Sequence, residues 1–142
     1  MKVSDLMTAK AVSINQSEPV TAAARLLKSH NIGSLPVCDD TGKLRGMVTD
    51  RDIVLRCVAD KNDPGSTRVS EIMSRGVVSV SPFQELDEAA SQMSEVQVRR
   101  LPVVEDGRLV GMLSLCDMAR NCGCEMEAAE ALSEICSNFK RK

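Results

Sequence analysis

The sequence predicts an α+β fold made of two pseudo-symmetric halves with one further helix at the C-terminal end, and three observations carry that prediction. Val3-Ser4-Asp5-Leu6-Met7 returns as Val69-Ser70-Glu71-Ile72-Met73, and Leu35-Pro36-Val37 returns as Leu101-Pro102-Val103, both 66 positions on. After the turn Asp39-Asp40-Thr41-Gly42, shortened to Glu105-Asp106-Gly107, the displacement falls to 65, and Gly46-Met47-Val48-Thr49 matches Gly111-Met112-Leu113-Ser114. Within each copy the hydrophobic period switches between strand-like and helix-like in the same order. A long period present only twice does not suit a solenoid; it suits two halves packed on each other. The missing residue falls in a turn, where loss costs least.

Each half opens with a short apolar run, Ala11-Val12-Ser13-Ile14 or Val77-Val78-Ser79-Val80, read as a brief strand or extended link. A helix follows. Val20, Ala23, Ala24 and Leu27 fall at i, i+3, i+4 and i+7, as do Leu86, Ala89, Ala90 and Met93, which predicts one buried stripe on each helix. Ser17, Glu18 and Pro19 supply a start signal for the first. Leu35 to Cys38 with Leu44 to Val48, and Leu101 to Val104 with Leu109 to Leu113, read as hairpins around Gly-containing turns. Thr49 and Ser114 then stand where a strand hands over to a second helix, with Asp52 and Asp117 in its first turn; Cys57 is placed on that helix's apolar side with Ile53 and Val54. The order in each half is strand, helix, strand, strand, helix.

Residues 1–59 and 69–122 are thus the two repeats. The breaker-rich stretch 60–68 is the linker, and 123–142 forms a C-terminal helix and basic tail, all within one integrated domain. In that last helix Ala128, Leu132, Ile135 and Phe139 share a face, and Lys140-Arg141-Lys142 suits a helix C-terminus. With 142 residues, each half alone would be marginal, so a shared core is expected.

Composition excludes several function classes. A net charge of −2 offers no field for nucleic acid or an anionic membrane, and two Phe with no Trp or Tyr leave no stacking platform for single strands. No run is long enough to span a bilayer and the first residues carry no apolar leader, so a cytoplasmic protein is expected, with its six cysteines as thiols. No Walker A loop, Gly-x-Gly-x-x-Gly or nucleophile elbow is present, and His30 is the only histidine, placed at a helix C-terminus. The sequence therefore predicts no enzyme, no catalytic residue, no metal centre and no required cofactor.

The linked segments Ile32-Gly33-Ser34-Leu35-Pro36-Val37, Val98-Arg99-Arg100-Leu101-Pro102-Val103, Gly46-Met47-Val48-Thr49-Asp50-Arg51-Asp52 and Gly111-Met112-Leu113-Ser114-Leu115-Cys116-Asp117 resemble a tandem pair of CBS domains, the Bateman module. The resemblance covers residues 1 to about 120, and is closest to the short stand-alone bacterial kind that includes the hypoxic response proteins. It implies two βαββα repeats associating through their sheets, a homodimer, and a non-catalytic sensor. The implied ligand is AMP, ADP, ATP or S-adenosylmethionine, bound in clefts between repeats. It further implies that Asp52 and Asp117 accept ribose hydroxyls, with Thr49 and Ser114 near ribose or phosphate. Val12, Ser13, Ile32 and Pro36, with Val78, Ser79, Val98 and Pro102, would surround the base.

Elementary chemistry agrees. A carboxylate can accept two hydroxyls, a helix N-terminus favours phosphate, and Arg51, Arg99 and Arg100 could add charge-assisted bonds. The spacing alone is equally that of capping boxes, with Asp in place of Glu or Gln. Arg51 gives way to Cys116 and Asp50 to Leu115 in the second repeat, so the intact Thr49-Asp50-Arg51-Asp52 run favours the first site. The rival reading is a ligand-independent stress or interaction adaptor for an unidentified protein target, governed by thiol oxidation or metal through Cys116, Cys122 and Cys124, a closed metal site needing Cys116 and Cys136 to complete it.

Overall fold

The computed structural model describes residues 1–121 and 125–139. Two compact units emerge, and they are not the two repeats: one joins Met1–Ala11 to Val78–Asp106 and Val110–Lys142, while the other joins Val12–Val77 to Gly107–Leu109. Each repeat lends its opening segment to the other.

In the unit built on residues 12–77, β2 (Ile14–Asn15) pairs in parallel with β3 (Ser34–Cys38), which pairs antiparallel with β4 (Leu44–Thr49). Between β2 and β3 runs α2 (Val20–His30), closed by Asn31 in the left-handed conformation at φ 52. Asp39 organises the hairpin turn, accepting from the Thr41 hydroxyl and amide, the Lys43 amide and Arg45 Nε. Those bonds, led by Thr41, hold its carboxyl well below the usual range. After β4 come α3 (Asp50–Asp52) and a π-wound segment, Ile53–Val58, then the second repeat's opening helix α4 (Val69–Ile72). α4 seats its first amides on the loop before α2, from Val69 N to Glu18 O and Ser70 N to Gln16 O, both near 3 Å (2.9 and 3.0 Å). Ser74 exchanges backbone bonds with Met47 of β4.

The other unit repeats this plan. Here β1 (Thr8–Ala9) adds to β6 (Arg108–Ser114), which pairs with β5 (Arg100–Glu105); Val80 makes only a single parallel bridge to Val103. The opening helix α1 (Val3–Leu6) sits on the loop before α5 (Leu86–Val96), through Val3 N to Gln84 O and Ser4 N to Pro82 O. α6 (Leu115–Ala119) and α7 (Glu125–Phe139) complete it.

Several expectations need correction. The single shared core resolves into two clusters, each recruiting from both repeats: Val3 joins Val80, Met93 and Leu113, while Val69, Ile72 and Met73 join Val20, Leu35 and Val48. Ser17 does not cap α2; the N-cap is Pro19, and Val20 and Thr21 give their amides to the carbonyls of Thr67 and Pro64. The stretch read as a linker therefore caps a helix. Ala24 is exposed, and the buried face of α2 runs through Ala23 and Leu27 with Ala22 and Leu26 partly buried beside them, whereas the four stripe residues of α5 are all buried. Val54 is exposed as well, the wider winding of residues 53–58 having rotated it off the Cys57 side. In α7 the buried stripe is Ala128, Ala131 and Ile135, so Leu132 faces outward at 41% exposure. The side chain of Phe139, residues Cys122 to Cys124 and the basic tail lie outside the described residues.

Candidate functional site

Each repeat brings its predicted site residues into one unit, so two sites are built separately. In the first, the chain leaves β4 extended at Thr49 (φ −118°, ψ 164°) and turns at once into a helix. Thr49 Oγ1 accepts from the Asp52 amide at 3.0 Å, and Asp52 Oδ2 accepts from the Thr49 amide at 2.9 Å. The capping box allowed by the spacing is formed. The register sets Ser34 opposite Thr49, and the Asp50 amide donates to Gly33 O at 3.0 Å, so the Ile32 to Pro36 segment and the Thr49 to Asp52 motif lie side by side. Val12 and Ile32 pack partly buried against the core, Ser13 is exposed and Pro36 is buried. A proline in the middle strand is tolerated here because β2 pairs only with Val37 and Cys38, stopping before the position that lacks an N–H. Arg51 is exposed and, with Asp50, Val54 and Leu55, lines a shallow depression of about 300 Å³.

The second site has the same plan with different side chains. Ser114 (φ −122°, ψ 158°) caps α6, its Oγ accepting from the Asp117 amide at 3.1 Å, while Asp117 Oδ2 accepts from the Ser114 amide at 3.1 Å. The Leu115 amide donates to Arg99 O at 2.9 Å, which joins the Val98 to Pro102 segment to this motif. Val80 donates to Pro102 O at 3.0 Å and so carries Val78 and Ser79 to the same strand. Val78 and Val98 pack against the core, Pro102 is buried, and Arg99 and Arg100 are exposed. Leu115, where the first repeat has Asp50, is buried, and Cys116, where it has Arg51, is exposed.

Electrostatically the two aspartates differ through a residue the motif reading did not single out. Arg56 Nε stands 3.8 Å from Asp52 Oδ1, and its Nη1 donates to the carbonyls of Ile72 at 3.1 Å and Met73 at 3.4 Å, at the end of α4. The signal was present as Asp52 and Arg56 at i, i+4 on one helical segment. Among the described residues no cation pairs with Asp117.

The thiols divide by burial. Cys38 and Cys57 are buried, and desolvation, then Asp39, pushes the Cys38 thiol up. Cys116 and Cys136 are exposed; Cys122 and Cys124 lie outside the described residues. Among the described residues no three His, Cys, Asp or Glu side chains are grouped to hold a metal ion. His30 is exposed in the last turn of α2.

Comparison with known proteins bears on these two matched sites. The CBS domain model matches residues 3–58 and 69–123. The chain is 42% identical over 133 residues to the CBS domain-containing protein YhcV of Bacillus subtilis, covering 94% of each. It is 37% identical to Hypoxic response protein 1 of Mycobacterium tuberculosis, covering 94% of this chain and 92% of that one. Among solved structures it is similar to Hypoxic Response Protein I with two coordinated zinc ions (TM-score 0.80, 37% identity, 85% of this chain and 98% of that one). It is similar also to the CBS domain pair of protein MJ0100 in complex with 5′-methylthioadenosine and S-adenosyl-L-methionine (TM-score 0.75, 30% identity, 88% and 98%). A third is CBSX2 in complex with AMP (TM-score 0.73, 31% identity, 84% and 93%). With both repeats matched and relatives covered almost end to end, this chain belongs to the CBS domain family, as a tandem pair.

Proposed function

We propose that the chain is a non-catalytic sensor that takes an adenosine-containing ligand at the paired motifs Thr49 to Asp52 and Ser114 to Asp117, and passes its occupancy to a protein target. The observation that carries this reading is the duplicated seat. In each unit a hydroxyl and a carboxylate at a helix start adjoin a strand segment that contains a buried proline. The carboxylates suit ribose hydroxyls, the helix amides and Arg51, or Arg99 and Arg100, suit phosphate, and Val12 and Ile32, or Val78 and Val98, offer apolar contact to a base. Structural neighbours solved with AMP and with S-adenosyl-L-methionine support the ligand class. Regulation then works by population shift, limited by the ligand's differential affinity for the two states. We read it as a cytoplasmic protein; among the described residues no helix is long and apolar enough to cross a membrane.

Thermal unfolding of the reduced protein against AMP, ADP, ATP and S-adenosylmethionine tests the reading. A ligand at a hundred times its Kd stabilises by about 2.7 kcal/mol, which is roughly a 5–10 °C rise at this size. Asp52→Ala and Asp117→Ala should each cost about 1 kcal/mol without ligand, as lost caps, and should remove part or all of the ligand-induced rise. No rise with any ligand would leave the aspartates as caps. A response to oxidant or zinc that is lost on replacing Cys116 and Cys136 would then favour the thiol- or metal-governed adaptor, in keeping with the zinc-containing neighbour.

We also read the protein as a homodimer, on the strength of Val54, Leu55 and Val58, which stand 55%, 46% and 60% exposed on one helical segment. Sedimentation should return twice the chain mass, and Val58→Asp should shift it to the single chain. A single-chain mass for the unaltered protein would refute this.

A further inference from the structure

Asp52 and Asp117 have equivalent places in the repeat and unequal partners. We propose that Arg56 ranks the two sites, making Asp117 the tighter acceptor of a vicinal diol and Asp52 the weaker; this rests on the reading that both motifs take an adenosine-containing ligand. In each capping box one carboxylate oxygen is already engaged by the amide of the cap residue, Thr49 or Ser114. What a ligand meets depends on the other. Asp52 Oδ1 faces the Arg56 guanidinium at 3.8 Å, in a side chain only 13% exposed. Asp117 has no ion pair among the described residues, and the residue 65 positions beyond Arg56 is the uncharged Asn121.

Arg56 is also anchored. Its Nη1 is bonded to the carbonyls of Ile72 and Met73, and the backbone just beyond them is itself fastened, Ser74 exchanging bonds of 2.8 and 3.0 Å with Met47. A guanidinium tethered at one end cannot swing aside without giving up those bonds. A hydroxyl approaching Asp52 therefore competes with a fixed cation for the same oxygen, and a carboxylate beside a cation is a weaker acceptor for a neutral donor. The pair is half exposed on the arginine side, so the difference is modest, about two- to fivefold in affinity. Arg56 acts through Asp52 and is a positioning residue. The order it imposes is the reverse of the one suggested by the intact Thr49-Asp50-Arg51-Asp52 run.

Adenosine, which carries no phosphate, isolates the diol. Calorimetric titration of the full chain should show two unequal sites, the tighter lost in Asp117→Ala and the weaker in Asp52→Ala. In the Asp117→Ala background, adding Arg56→Asn should strengthen the remaining site about two- to fivefold, and Arg56→Lys, which keeps the charge but not the two-ended tether, should strengthen it less. A readout that needs no change at Arg56 is salt: screening the ion pair should tighten adenosine binding in Asp117→Ala and leave Asp52→Ala indifferent. The ranking is overturned if the tighter site disappears with Asp52→Ala, or if both single-site chains respond alike to salt and Arg56→Asn changes nothing. Absence of adenosine binding in every form, the unaltered chain included, would instead overturn the ligand reading beneath it.

Discussion

Gly46→Ala is expected to lower the melting temperature by roughly 5–10 °C, for a cost of about 2–3 kcal/mol. A Cβ there would stand 2.4 Å from the backbone oxygen of Ser74 and 3.0 Å from Met73 Sδ. The sulfur can yield. The carbonyl cannot do so freely, because it accepts the Met47 amide at 3.0 Å and forms half of the bridge that fastens the end of α4 to β4. One added methyl thus forces apart two backbones. Gly111 meets the same situation in milder form, with Thr8 O at 2.8 Å and Met7 Sδ at 3.0 Å, so Gly111→Ala should cost less. Gly33→Ala is the control, since its nearest neighbour, Asp50 Oδ2, would be at 3.5 Å, an ordinary contact. Denaturant titration of the three variants should rank them Gly46, Gly111, Gly33. If Gly46→Ala were no worse than Gly33→Ala, the close docking of α4 on β4 would be refuted.

Leu35→Ala should cost about 3 kcal/mol, within the usual range for a large apolar side chain removed from a packed core. Leu35 is fully buried in the middle strand of its sheet, and Leu101, at the matching position of the other repeat, is 1% exposed. Each belongs to a different buried cluster, so neither deletion can be filled from the other's side chains. Leu101→Ala should therefore lose a comparable amount, while Leu35→Met, which conserves volume, should lose less than about 1.5 kcal/mol. Equilibrium unfolding in urea measures all three. A loss below about 1 kcal/mol for Leu35→Ala would mean that the site collapses around the deletion.

The repeat was legible because it is written in residues whose identity carries geometry. Leu35-Pro36-Val37 and Gly46-Met47-Val48-Thr49 announce a strand, a turn and a helix cap, and their copies announce them again at a fixed spacing. Both capping boxes could be read for the same reason, Thr or Ser at the strand's end and Asp three residues later being a local signal with a local partner. Periodicity proved weaker at the flanks of helices. Alanine satisfies an apolar pattern without demanding burial, so Ala24 fits the stripe and lies outside it, whereas Ala131 is buried and its larger neighbour Leu132 is not. The exchange of opening segments left no local trace, since Val3 and Val69 are equally apolar wherever they pack. Arg56 is only half legible, through its i, i+4 spacing from Asp52. Its partners Ile72 and Met73 are reached through carbonyl oxygens, which every residue possesses and no sequence pattern displays.

That exchange also decides where the chain can be divided. A cut before Pro64 in the stretch 60–68, where the sequence divides, strands α1 and β1 without the loop and the strand they rest on and removes from α2 the carbonyls that receive its first amides. Neither product contains the parts of one complete unit. A lone repeat of this kind could satisfy its opening helix only on a second copy; fusing two in tandem turns that encounter into an intramolecular one, with the partner always at hand. Duplication here is a covalent remedy for a half that cannot close on itself.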